Sequence, residues 1–445
     1  MILTVMSKYG QGLWRCGLCL SVFLVAVLTG GDTERIAPFS VALVLLLSLG
    51  LVFFKSAEYL TLPFLQLTLL VIFCYDSFTV FIRYVWLVPV AVLALAVFLI
   101  KRRPPLFKGP TLLPLAAVSV ATLLGGVGLI SAADYFRGAS LGFMLGLGPA
   151  LLLSYWIMKY ELASPRSRDF FLLDLVCWGL TAAAVTFWYV VPLAVKHGGP
   201  FGFTEPQWSN NISTMLMIAM PATLALKRRH VGHYLMLGVM FAATMLVGSR
   251  GGQLLVGLEV IVCCFWAWRS ESDIIKRLWN RTYFLWVLMA AGYVFSLVVI
   301  NVVSLDLVSS DEPRALLFLR SLENIKENWL FGTGLGYRGN ADIYSAKEGA
   351  INWYHMMIPQ IIGSLGLCGV AAWGYQLFVR AKLSLAVWKN REFGFALCYF
   401  GLFLMSQVNP GEFCPVPYAF LAVCFFAAIE NSIGEQHGKV PQVHG

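Results

Sequence analysis

Three residues in this chain couple a charge or a titratable group to the edge of an apolar run: Arg250, Arg314 and His355. His355 opens the stretch YHMMIPQIIGSLGLCG, residues 354–369, in which Gly363, Gly366 and Gly369 recur at three-residue spacing. That pattern reads as a close-packed membrane helix with an ionisable group at its mouth, and imidazole is the side chain poised to take a proton near neutral pH. A polar cap is the structural alternative. Arg250 lies in VGSRGGQLLVG, a hairpin between two apolar runs with almost no loop, so its guanidinium is held at the membrane surface. It either snorkels to water or meets a ligand, for which Gly248, Gly251 and Gly252 thin the surrounding backbone. Arg314 begins a helix against the dipole preference for anions there. It pairs with Asp311 or Glu312, or it faces an anion that the helix amino terminus also attracts. Two permanent cations and one titratable base suit a reaction in which a phosphate ester leaves and a hydroxyl attacks.

The elements that position them are membrane spans. Of the 445 residues 59% are hydrophobic and only 12% charged, whereas soluble domains carry about 25% charged residues. The chain is expected to be one all-α polytopic transmembrane domain, residues 1–445, without an independent soluble domain. Apolar runs of bilayer length, about 20 residues each, fall near 13–30, 37–54, 59–75, 80–100, 111–131, 139–158, 171–195, 210–226, 231–248, 251–268, 283–303, 356–379, 393–408 and 413–430. With the short third and fourth runs merged or re-entrant, that is about 12–14 transmembrane helices. The first run is expected to be a retained helix, and the ten cysteines, mostly in apolar segments, suggest packing and no disulfide framework.

Lysine and arginine orient the chain. With both termini cytoplasmic, most of the 32 basic residues fall on the inside, Arg15 and Arg380 among them, and the +9 net charge is a solvated face against anionic lipid. Nucleic-acid binding is not implied. Five of the outside basic residues, Arg314, Arg320, Lys326, Arg338 and Lys347, gather in one extracytoplasmic loop, 304–354. Within it a helix is predicted over 313–327, with Ser310 or Asp311 as cap and Pro313 in the first turn; GTGLG then ends it.

With these residues in place the chain resembles the O-antigen ligase and O-antigen polymerase superfamily, membrane glycosyltransferases of C-type architecture. His355, Met356, nine residues and then Gly366-Leu367-Cys368-Gly369 follow the ligase pattern H-[N/S/Q]-x9-G-x-x-G, with Met356 where a small polar residue is usual. Arg250 with Leu254 matches an R-x3-L element. The stretch from Arg314 to NWLFGTGLG is similar to the family's arginine, amphipathic helix and glycine-rich turn, with Trp329 replacing a common proline. PQWSNNISTMLMIAMP, 206–221, looks like its asparagine-led helix entry. The likeness covers roughly 200–430.

The resemblance implies a glycan donor on undecaprenyl diphosphate, an acceptor that is another glycan or lipid A-core, and an active site on the extracytoplasmic face of the cytoplasmic membrane. Arg250 and Arg314 would hold the diphosphate and His355 would activate the acceptor hydroxyl, inverting the anomeric carbon without metal or cofactor. Tyr337, Arg338, Tyr354 and Asn211 are secondary sugar-binding candidates, with Asn210 and Glu412 beside them. Glu259 and Asp174 stand out as intramembrane acids. A polysaccharide-lipid transporter or flippase is the rival reading, but it should show broken helices in symmetric halves, and no internal repeat is visible.

Overall fold

In a computed structural model the chain is described except for residues 1, 55–58, 75–81, 106–107, 130–134, 136–137, 198–201, 204–205, 228, 305–306, 336–342, 344–352, 415 and 437–445. Among the described residues every regular element is helical. In chain order these are α1 Ile2–Thr29, α2 Thr33–Phe53, α3 Thr61–Ile72, α4 Leu87–Arg102, α5 Leu112–Leu124, α6 Gly138–Leu147, α7 Pro149–Glu161, α8 Pro165–His197, α9 Pro206–Ala225, α10 Val231–Leu246, α11 Arg250–Arg269, α12 Ile274–Ser304, α13 Leu307–Glu327, α14 Met357–Ala386, α15 Phe393–Met405 and α16 Val416–Gln436.

Among the described residues seven candidate spans are long and apolar enough to cross a membrane, with α6 and α7 making one of them, and α3, α5, α10 and α15 are shorter apolar helices. This is a multi-pass membrane protein. Among the described residues several of the apolar runs expected as full-length spans fold as short helices: the run 59–75 yields a helix of 12 residues and 111–131 one of 13. Such helices cross less than the hydrocarbon thickness of about 30 Å.

The chain forms two compact units, residues 1–105 with 164–256, and residues 106–163 with 257–445. In the first, α8 is the central helix and packs on α1, α3, α9 and α10. Arg15 of α1 meets Asp174 of α8 through Nε and Oδ1 at 2.7 Å, both side chains buried. Asp174 therefore has a partner, and Arg15, read as a cytoplasmic-face cation, lies inside the helix bundle. In the second unit α14 packs on α5, α13 and α16, and α16 packs on α6, α7 and α15. There Arg380 Nη1 donates to Glu412 Oε1 at 2.6 Å and to Tyr399 Oη at 2.7 Å. Arg380 is thus not on a solvated surface, and Glu412, in the turn between α15 and α16, is buried; each side chain is 2% exposed. A further buried network joins Glu430 to Lys159 Nζ at 2.7 Å and to Tyr155 Oη at 2.6 Å, and accepts the Thr111 N–H at 2.7 Å.

The glycine spacing of α14 has a physical cause. At Gly366 the helix is broken, with φ +60° and ψ −156°, a left-handed backbone that L side chains avoid. The turn 329–334 crosses there and exchanges backbone hydrogen bonds with the break. Thr333 and Gly334 N–H groups donate to the Gly363 and Ser364 carbonyls, each at 2.8 Å, while Leu367 and Cys368 N–H groups donate to Trp329 and Leu330 carbonyls at 2.9 and 3.1 Å. Groups freed by the break are satisfied by the crossing turn, as burial among membrane helices demands. A Cβ on Gly366 would stand 2.7 Å from Gly332 N and from Leu330 O. Gly366→Ala is therefore expected to cost at least about 1–3 kcal/mol through its backbone angle. Thermal unfolding in detergent checks this against Gly374→Ala, where a Cβ meets nothing within 4 Å.

Candidate functional site

The site is built at the amino-terminal end of α14. Tyr354 is fully buried; its N–H donates to Gln360 Oε1 at 3.0 Å and its hydroxyl accepts from Asn324 Nδ2 of α13. Gln360 Nε2 in turn donates to Ser364 Oγ at 2.8 Å. Met357 N–H donates to the Ser406 carbonyl at 2.7 Å, and Ser406 Oγ accepts the Glu412 N–H at 3.0 Å. His355, fixed between these two anchored residues, adopts φ +53°. Histidine tolerates that region better than most residues, yet the conformation is sparsely populated and persists only where neighbours over-determine it.

The electrostatics follow from the position. His355 is half-buried at the helix mouth. Burial first, and the Arg314 guanidinium second, push its imidazole from the ordinary 6.5 down to about 4. Neutral imidazole accepts a hydrogen bond at physiological pH, beside a permanent cation. Arg314 and His355, separated by a long stretch of chain, are thus brought together. Arg314 does not begin its helix, however: α13 starts at Leu307, ahead of the expected cap at Ser310 or Asp311.

Arg250 belongs to the first unit, where it is exposed at the start of α11. Gly248, at φ +88°, makes the turn before it. Ser249 Oγ bonds Asn210 Oδ1 at 2.9 Å and accepts the Gly252 N–H at 3.2 Å, and a Cβ on Gly252 would meet Ser213 Oγ at 2.6 Å. The glycines therefore seat the hairpin against α9, where the half-buried Asn211 is the residue after Asn210. Tyr354, read as a groove-lining ring, is instead a buried strut between α13 and α14. Tyr337 and Arg338 lie outside the described residues. No family profile, curated protein or solved structure matches the chain.

Gln360 and Ser406 escaped the sequence reading. A lone glutamine inside an apolar run was the available signal for the first. For Ser406 there was none, because its contribution to the Met357 anchor is a backbone carbonyl. Glu259 keeps both carboxylate oxygens buried without a hydrogen-bond partner among the described residues. Among the described residues no three His, Cys, Asp or Glu side chains gather so as to hold a metal ion.

Proposed function

We propose that the chain is a C-type membrane glycosyltransferase that moves a glycan from undecaprenyl diphosphate onto an acceptor hydroxyl at the outer face of the cytoplasmic membrane. The observation that carries this reading is a neutral imidazole held next to the Arg314 cation at the mouth of α14. Arg314 binds the donor diphosphate through charge-assisted hydrogen bonds. The bound dianion offsets the Arg314 charge felt by His355, so the base strengthens once the donor is seated. The acceptor oxygen then forms its bond to the anomeric carbon as the bond from that carbon to the diphosphate oxygen breaks. The hydroxyl proton passes to His355 and on to water, and the polyprenyl diphosphate departs with the electron pair, its charge stabilised by the Arg314 guanidinium. Attack opposite the leaving group inverts the anomeric centre.

Product analysis tests the reading. Purified protein in nanodiscs receives an undecaprenyl-diphosphate oligosaccharide with and without lipid A-core, in EDTA. Product that requires the added acceptor is expected of a ligase. A lengthening lipid-linked ladder without added acceptor identifies the polymerase form of the same chemistry. Transfer abolished by EDTA and restored by a divalent ion overturns the metal-independent mechanism, and no transfer under any condition overturns the function.

A further inference from the structure

The connection between α9 and α10 reads KRRHVGH, residues 227–233, and ends in two histidines spaced to meet on one face of a helix start. The extended backbone of His230 makes it the amino-terminal cap of α10, and its Nδ1 accepts the Gly232 N–H at 3.1 Å. His233 Nδ1 accepts the His230 N–H at 3.2 Å. Each ring thus satisfies a backbone N–H, the reciprocal arrangement that serine or threonine makes elsewhere with glutamate or glutamine. The rings stack with centroids 4.0 Å apart and planes inclined by 29°. A Cβ on Gly232 would stand 2.9 Å from His230 Cε1, so the His230 ring folds over backbone that glycine leaves clear. His230 is exposed and His233 is buried.

A backbone N–H can only donate, so each Nδ1 that meets one carries a lone pair and no hydrogen. Both rings are therefore neutral in this arrangement, with the ring hydrogen on Nε2. An asparagine or serine cap holds at any pH near neutrality, whereas imidazole caps in one protonation state only. Proton uptake places a hydrogen on Nδ1, where it faces another donor, and the attraction is lost. α10 packs on α8 and α9, and the charges around the pair come from the connecting turn and from α8. Arg229 lies beside the rings, pinned by its Nε bond to the Leu224 carbonyl at 2.6 Å. Lys227 bridges to Asp169, which with Arg166 and Arg168 stands at the start of α8. Deeper in α8, Asp174 is held by Arg15, and α9 contains no charged residue. A proton taken up here adds positive charge beside Arg229 and against the other ring, which favours an open cap over a closed and charged one.

We infer that His230 and His233 form a proton-released cap: at neutral pH the two uncharged rings hold the first turn of α10, and acid opens that turn and frees the connection to α9. The sign follows from the bonding. A nitrogen that must be unprotonated to accept contributes at neutral and higher pH, and its contribution disappears as the pH falls. The inference is independent of the proposed reaction. At its other end α10 runs into Val247, whose carbonyl accepts from the Phe203 N–H at 3.2 Å and from Ser209 Oγ at 2.9 Å, so the proton-sensitive end of α10 lies opposite the Arg250 hairpin.

Hydrogen exchange of the full-length protein in nanodiscs tests the inference, with electron-transfer fragmentation resolving the His230 and Gly232 amides and with rates corrected for intrinsic exchange at each pH. Between about pH 8 and about pH 5, a span that brackets ordinary histidine titration, the protection of these two amides is expected to fall about 2- to 30-fold, the opening that loss of a helix cap allows. Amides in the middle of α9 should keep theirs. The double variant His230→Asn with His233→Gln rebuilds the cap from side chains that do not titrate, and it should hold equal protection at both pH values. His230 is exposed, so His230→Asn alone carries the comparison where the buried substitution disturbs the fold; its Gly232 amide should stay protected in acid. Unchanged protection in the parent at about pH 5 overturns the inference. So does an equal acid loss in the variants, which would place the proton-sensitive group elsewhere.

Discussion

His355→Asn protein is expected to fold normally and to transfer glycan about 10²- to 10⁴-fold more slowly than the parent, the range for removing a positioned general base. Asparagine is the informative replacement because it also tolerates left-handed φ, so the +53° backbone is kept while the base is removed. The pH profile carries an independent signature. A base works unprotonated, and the His355 imidazole is held down to about 4, by burial first and Arg314 second. Donor-dependent kcat/KM should therefore stay level between about pH 5 and pH 8 and fall as acid protonates the imidazole, rather than turning at its unperturbed midpoint. Arg314→Gln should move the His355 titration upward without restoring the ordinary value, since burial remains; histidine-labelled NMR with His355→Asn for assignment reads this directly. Full activity in the Asn protein, or a kcat/KM midpoint at the unperturbed histidine value, removes His355 from the mechanism.

Glu412→Ala is expected to destabilise the fold by about 3–5 kcal/mol, the cost of stranding one partner of a buried ion pair. Arg380 cannot swing out to water: its guanidinium carbon lies 4.6, 5.2 and 5.9 Å from the rings of Tyr399, Phe426 and Trp373. Reversible unfolding in mixed micelles measures the loss, and Arg380→Met with Glu412→Leu should recover most of it, because an apolar pair leaves no buried charge. A change below about 1 kcal/mol, typical of exposed pairs, means that the two side chains are solvated in the working protein. The turn from Ser406 to Glu412 also holds the Met357 N–H, so the single variant should loosen the anchor beside His355.

What could be read from the sequence was local. The runs 231–248 and 251–268 return as α10 and α11 because hydropathy is carried by contiguous residues. The mouth of α14 and its glycines were visible for the same reason, and the break at Gly366 explains the spacing. Contacts between distant residues left no such trace. Arg380 sits among cytoplasmic-type basics in sequence yet pairs with Glu412, 32 residues on. Arg15 reads the same way and meets Asp174. The crossing of the turn 329–334 at the break in α14 depends on four backbone bonds, and backbone bonding does not record which side chains stand there. The site was legible in residue type, in Arg314 and His355, but their neighbourhood emerged only from the packing of α13 on α14.

The Arg15–Asp174 bond also constrains how the protein is made. Its partners are 159 residues apart, so at synthesis rates of ~5–20 residues per second the arginine of the first helix emerges roughly ten to thirty seconds before its carboxylate exists. During that interval α1 carries a cation that bilayer hydrocarbon rejects. The first helix is therefore expected to complete its integration late, drawn in by α8, and a ribosome stalled between the two should leave a nascent chain whose amino-terminal segment alkali extracts from the membrane.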